Sequence, residues 1–352
     1  MTPDANAPIQ TINPIKTYSQ PVPEVERVKP SISEKLKPGQ HIDVETITPP
    51  NEFFIQRLTD RTYYVLANVY SLTVYVGDSG VLLIDAPDNI SADLLLAEIK
   101  QLTSLPVTTL VYSHAHIDHI GEAEHLKNLL KQDGIELRII GSQNCAKEIK
   151  RYKYSMLMPT EIVPNGRQTF EFEGQTFKFV TPVDWAHCGA DSYIITPDGV
   201  IQFVDFVYPA QLPMCDISGV QNMTGYIEFL RYVAGEPDWQ FANLGHGNVG
   251  SRTDVERTLE YFQDLYTAMM ASWKGFNPMG LQRFKGEIPG VFIRNLFDHG
   301  AEQLAMQMKE KWSRFPHWEV SRDHAEKVMW DVVLNYDHKR KIIPDFDPIP
   351  AP

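Results

Sequence analysis

The chain has 352 residues, with Lys+Arg 32 against Asp+Glu 45, a formal net charge of −13, 43% hydrophobic and 22% charged residues. That composition is globular and excludes wholesale disorder. The acidic balance disfavours a nucleic-acid partner, which needs clustered positive charge. Cys145, Cys188 and Cys215 form neither a disulfide framework nor a C-x-x-C metal knuckle. With no signal-like N-terminus and no long uncharged apolar run, a cytoplasmic protein without a membrane partner is expected, or a periplasmic or secreted one if a signal has been removed.

In chain order, residues 1–50 carry nine prolines, among them Pro30, Pro38 and Pro49. Proline fixes φ and removes a donor, so an extended arm is expected there rather than a packed unit. From Phe53 onward TYYVLANVYSLTVYVGDSGVLLIDAP is rich in β-branched and aromatic residues, with a hairpin turn at Gly77–Gly80. Ser91 caps an amphipathic helix, ADLLLAEIKQL. VTTLVYS and LRIIGS are strands separated by the helix EAEHLKNLLKQ. Two further strand pairs turn at Glu173-Gly174 and at Pro197-Asp198-Gly199. Strands alternating with helices predict sheets packed together with helices outside. After Arg252 the chain is mostly helical: DVERTLEYFQDLYTAMMASW, AEQLAMQMKEKW and DHAEKVMWDVVLNY are amphipathic and predict an extension that caps the core, shapes the pocket or makes a homodimer interface. The expected units are an arm over 1–50, a catalytic domain over 51–251, a helical extension over 252–340 and a proline-rich tail over 341–352.

Ser113-His114-Ala115-His116-Ile117-Asp118-His119 stands where the strand LVYS ends and a helix begins. Three imidazoles so close repel one another once protonated, whereas a divalent metal takes neutral imidazole nitrogens, and the carboxylate oxygen beside them, as ligands. His114 and His116 can reach one ion, and Asp118 and His119 its neighbour.

These residues make the chain resemble the metallo-β-lactamase superfamily, whose H-x-H-x-D-H signature is present without a gap. The resemblance runs from about residue 53 to residue 250. It implies an α/β fold, the αββα four-layer sandwich, here with a C-terminal helical extension. It also implies two divalent metal ions, zinc first, with Mn, Fe, Co and Ni accepting the same ligands. One ion would be held by His114, His116 and His187, the other by Asp118, His119 and His246, with Asp205 of VIQFVDF between them. Asp85 of LLIDAP matches the acid that buttresses the metal loop. Ala186 and Cys188 depart from the residues usual beside the third histidine; Cys188 is read as a core thiol rather than a ligand.

Two such ions would hold a bridging water and lower its pKa from about 15.7 toward about 7. The resemblance therefore implies hydrolysis of a small acyl substrate, a lactone or ester first. Asp118 and Tyr208 are the catalytic candidates: Tyr208 follows Asp205 by three positions, as in the acyl-homoserine lactone lactonases. The alternatives on the same scaffold are an iron persulfide dioxygenase or diiron oxidoreductase, a glyoxalase II-like thioester hydrolase, and a phosphodiester hydrolase. Trp185 and Phe206 are expected at the mouth of the site. RYKYSMLMP, with Tyr152, Tyr154, Met156, Leu157 and Met158, is expected either to wall the site or to pack beneath the C-terminal helices.

Overall fold

A computed structural model describes residues 25–44, 52–153, 156–213, 217, 219–275, 288–336 and 342–352. Cys215, Tyr154, His338 and most of the arm's prolines lie outside them.

A short parallel pair, β1 (Arg27–Val28) and β2 (His41–Ile42), precedes two mixed sheets. The first contains β3 (Phe53–Arg57), β4 (Thr62–Ala67), β5 (Tyr70–Val76), β6 (Val81–Ile84), β7 (Val107–Val111), β8 (Arg138–Ser142) and β9 (Glu161–Val163), side by side in that order. Its pairs are antiparallel as far as β6 and parallel beyond it. The parallel crossovers carry α1 (Ala92–Leu102), α2 (Ile117–Ile120), α3 (Ala123–Gln132) and α4 (Gln143–Tyr152). The second sheet runs β10 (Gly166–Phe172), β11 (Gln175–Thr181), β12 (Tyr193–Ile195), β13 (Val200–Gln202) and β14 (Phe241–Asn243), with only β13 and β14 parallel.

The period-2 alternation of strand side chains explains the layering. In β6, Val81 and Leu83 face the cluster shared with Leu95, Ile99, Leu126 and Leu130 of α1 and α3. Leu82 and Ile84 face the opposite cluster, with Phe170, Phe172, Phe177 and Phe179 of the second sheet. In β12, Ile194 joins that inter-sheet layer, while Tyr193 and Ile195 turn outward. They meet α5 (Met223–Gly235), α6 (Arg252–Gly275), α7 (Pro289–Trp312) and α8 (Ser321–Asn335). Helix, sheet, sheet, helix is the predicted order of layers. No helix among the described residues is long and apolar enough to cross a membrane.

Two elements differ from the sequence reading. Residues 25–44 are packed rather than splayed: Leu36, Ile42 and Val44 are buried with Leu58, Tyr64, Val200 and Phe241. Proline forbids a helix there but does not prevent a few apolar side chains from docking. Helix α7 begins at Pro289, well before the AEQL segment; at the first turn of a helix a proline loses nothing, because its missing N–H has no intrahelical partner there. Much of the apolar surface of α6–α8 is buried within the chain, with Tyr261, Phe262, Tyr266 and Trp312 all buried, while Ile293, Met306, Trp330 and Leu334 stay exposed.

Candidate metal centre

Five strand ends meet at one edge of the sandwich. Asp85 follows β6, the histidine motif follows β7, His187 lies beyond β11, Asp205 follows β13 and His246 follows β14. Asp85 and Asp205 turn the chain through left-handed backbone, at φ 71° and 69°, a conformation that Asp adopts more readily than most side chains. Gly245 and Gly247, at φ 81° and 77°, bracket His246. A Cβ on Gly245 would lie 2.4 Å from a Val204 methyl, so glycine is needed there on both counts.

The structure brings His114, His116, His187 and Asp205 into one cluster and Asp118, His119 and His246 into a second, with the candidate ligand atoms of each within 4.8 Å of one another. Asp205 Oδ2 lies 3.6 Å from His114 Nε2, 3.4 Å from His119 Nε2 and 3.1 Å from His187 Nε2, while Oδ1 lies 3.0 Å from His246 Nε2. His187 Nε2 is 3.1 Å from His116 Nδ1, and His119 Nε2 is 3.5 Å from Asp118 Oδ2. Ligands about 2.0–2.2 Å from a tetrahedral ion are separated by about 3.3–3.6 Å, the scale of these contacts.

Hydrogen bonding supports the same donor set. Among the described residues, His114 Nε2, both ring nitrogens of His119 and Asp205 Oδ1 are buried without a hydrogen-bond partner. Such orphaned groups are costly unless something else satisfies them. Two other ring nitrogens are held from behind: His246 Nδ1 lies 2.8 Å from the Val69 carbonyl, and His114 Nδ1 2.9 Å from Ser113 Oγ. Fixing one ring nitrogen in this way aims the other at a metal. The two His/Asp groups, joined through Asp205, fit a binuclear metal site.

Charge is distributed unevenly across the cluster. Burial and the neighbouring imidazoles push the His114 pKa well below its ordinary value, and burial with His187 lowers His116 to about 4. Burial opposes a charge on His119 too, but Asp205, Asp118 and Asp85 outweigh it and raise that ring to about 9. Burial likewise works against the Asp205 carboxylate, yet His119 and His187 hold its pKa well below the usual range.

Asp85 is wholly buried; Oδ1 accepts the Ser113 N–H at 2.8 Å and Oδ2 accepts Gln202 Nε2 at 2.7 Å. It holds the loop that bears the histidines and stands outside both clusters. Cys188 is buried, its sulfur receiving the Ala190 N–H at 3.2 Å, and stands outside both clusters. The Tyr208 ring stacks 6.3 Å from that of His246, at the rim of the second cluster. Phe206 is not at the mouth: it is 1% exposed and stacks on Phe229 at 4.0 Å beneath the site, because its strand end turns it into the aromatic core. Trp185 is exposed, with Arg151 over its ring. Of RYKYSMLMP, Arg151 and Tyr152 end helix α4, Met156 is buried against the first sheet, and Tyr152 and Met158 are exposed.

Several neighbours of the centre escape a reading of the sequence. Tyr70 lies 5.5 Å from the His119 ring and 4.9 Å from that of His246. Asn243 is buried at the end of β14, where Oδ1 receives Ser71 Oγ and the Gly245 N–H. Asn248 grips both backbone groups of Ile42 at 2.9 Å, and the Tyr64 hydroxyl donates to the Gly247 carbonyl. The arm and β4 thus hold the loop that carries His246. The available signal was a polar residue, Gln202 or Asn243, closing an otherwise apolar strand next to a motif.

Fold and centre together define a metallo-β-lactamase-fold protein with a binuclear-type His/Asp site. A family model described as the metallo-beta-lactamase superfamily matches residues 67–182, which include the whole histidine motif. Among solved structures, a metallo-beta-lactamase from Pontibacter korlensis is similar at 18% identity over 60% of this chain and 99% of that one, with a TM-score of 0.49. VMB-1 is similar at 18% identity over 59% and 95%, TM-score 0.48, and DIM-1 metallo-beta-lactamase at 14% over 58% and 94%, TM-score 0.46. No curated protein matches the chain.

Proposed function

We propose that the protein is a two-metal hydrolase, zinc first, that opens a small acyl substrate, with lactones and simple esters as the leading class. The observation carrying this reading is the convergence of seven His and Asp side chains from the ends of four strands, with four of the histidines meeting on the Asp205 carboxylate. Bound divalent ions would supply Lewis acidity and a water acidic enough to act as a nucleophile near neutral pH.

The chain's own residues do the remaining work. His114, His116 and His187 form one half of the cradle, His119, His246 and Asp118 the other, and Asp205 spans both. Asp118 is the more open acid, its side chain 39% exposed against 9% for Asp205, so its carboxylate can pass a proton between the site and solvent. Tyr208, whose ring lies 6.3 Å from that of His246, would donate a hydrogen bond from its hydroxyl to a substrate carbonyl or leaving oxygen. Phe206, Tyr226 and Phe229 pack as a rigid aromatic floor below this edge. Elemental analysis paired with a panel of lactones and aryl esters tests the proposal. Two metals per chain and chelator-sensitive hydrolysis are expected; a fully metal-loaded protein inert toward every acyl substrate would refute it.

A further inference from the structure

Beside the first histidine cluster is a cavity of about 160 Å³ bounded by His116, Glu148, Tyr152, Gly189 and Gln221. The unexpected member is Glu148. It lies on the inner face of α4 with Cys145 and Ile149, where an apolar side chain would be usual, and its side chain is only 6% exposed. Among the described residues its charged partner is Arg151, at 3.5 Å. That guanidinium is 53% exposed and spread over the rings of Tyr152 and Trp185, 5.3 and 5.7 Å away. A long contact to a solvated cation compensates a buried carboxylate poorly. Gly189 faces it: a Cβ there would come within 3.1 Å of the Glu148 carboxyl carbon. The absent side chain thus leaves room in front of the acid.

Resting on the hydrolase reading above, we infer that this cavity is the substrate's second anchor, in which Glu148 accepts N–H donors from a primary ammonium or amide group at the end remote from the scissile bond. An ionised carboxylate only accepts hydrogen bonds, so the complementary ligand must donate. A donor that displaces water from a recessed acid gains a charge-assisted bond, and the overall charge of −13 favours the approach of cations. His116 is shared between the cavity and the metal centre, so a ligand anchored on Glu148 lies against that centre.

The test separates this inference from the hydrolase assignment. Butylammonium, propionamide and 1-butanol are titrated into metal-loaded protein by calorimetry, which requires no turnover. At least one N–H probe should bind about tenfold or more tightly than butanol. That preference should collapse in Glu148→Gln, and also in Gly189→Ala, whose methyl crowds the acid and which serves if the Gln variant does not fold. Equal binding of all three probes, or a preference unchanged in both variants, overturns the inference. In parallel, aryl esters whose acyl chains end in ammonium or methyl should show a kcat/KM ratio that falls about tenfold in Glu148→Gln; an unchanged ratio counts against the anchor. If neither ester is cleaved while the ammonium probe still binds through Glu148, the hydrolase reading fails and the pocket chemistry stands.

Discussion

Replacing Asp85 with Ala should weaken metal binding far more than it weakens the fold. The substitution strands two buried N–H groups, that of Ser113 and the one on Gln202 Nε2 that is not shared with the Ile84 carbonyl. An orphaned buried donor costs about 1–3 kcal/mol, hence about 2–6 kcal/mol for the pair. The native carboxylate has its own cost, however. Burial, only partly countered by His119 and the Ser113 hydrogen bond, raises its pKa from 3.8 to about 6. At about 1.4 kcal/mol per unit, keeping it ionised at neutral pH already costs about 3 kcal/mol, and alanine removes that cost. The two effects nearly cancel, so urea denaturation of metal-free protein at pH 7 should change by no more than about 3 kcal/mol. Ser113 loses its tether, and with it the loop that aims His114, His116 and His119. Metal affinity, read by competition with a chromophoric chelator, should fall about 10–100-fold, the usual effect of losing a group that orients ligands. Asp85→Asn keeps an oxygen for Ser113, tolerates the left-handed backbone and should fall between the two. Unchanged affinity in the Ala variant would refute the positioning role, and a loss of stability well beyond about 6 kcal/mol would show that the opposing terms were misjudged.

Asp205→Asn, which fits the φ of 69°, should reduce the metal content from about two ions per chain to one or fewer by elemental analysis; retention of both would show that the carboxylate is not shared. Chelation should lower the unfolding temperature as well as abolish hydrolysis, since an ion at about 1,000 times its Kd stabilises the fold by about 4 kcal/mol; an identical melt with and without chelator would argue against a resident metal. Tyr208→Phe keeps the ring beside His246 and should cut kcat about 10–100-fold with little change in KM, whereas a packing role would leave both unchanged. Burial disfavours the Glu236 charge, but Arg167, Tyr193 and Lys178 overcome it and hold its pKa below the ordinary value. A carboxyl with a depressed folded-state pKa contributes stability above its unfolded value of about 4.3 and loses it as pH falls further. Acid titration of Glu236→Gln should therefore lack part of the wild-type decline below about pH 4, and superimposable profiles would dismiss this contribution.

Local chemistry was legible in the sequence wherever a few adjacent residues decide the outcome. The turns at Gly77–Gly80, Glu173-Gly174 and Pro197-Asp198-Gly199 each join the paired strands they were expected to join, because a short turn depends on its own backbone preferences. The histidine motif was legible for the same reason, its crowding of ligands being visible without a fold. His187, Asp205 and His246 were different. Alone, each is an ordinary polar residue, and only the resemblance to a family placed them with the motif. Glu148, Tyr70 and Asn248 could not be found, since their roles depend on what the fold sets opposite them. Residues 25–44 were misjudged because proline content reports which elements are forbidden, not which surfaces a chain can cover. Phe206 was misplaced because a position next to Asp205 in sequence does not determine on which side of a strand end a ring lies.

The C-terminal helices also hold the loop that carries Tyr208. Asp254, in the first turn of α6, receives the Ala210 N–H on Oδ1 at 2.8 Å and the Ser251 N–H on Oδ2 at 2.8 Å, and its Oδ1 also pairs with Arg257. Ala210 has φ 58°, a conformation costing about 1–2 kcal/mol for a residue with a Cβ, so the surrounding contacts must hold it. Leu212 is fixed as well, its N–H donating to the Pro316 carbonyl at 3.2 Å. The segment running from Asp205 through Tyr208 to Leu212 is therefore stretched between β13 at one end and the helical layer at the other. Truncation before Arg252 would remove Asp254 together with the cover over Tyr226 and Leu230, exposing core as well as releasing the Tyr208 loop. The helices are better understood as the outer wall of the site edge than as an appendage, since a centre assembled from five strand ends is only as rigid as the loops between them.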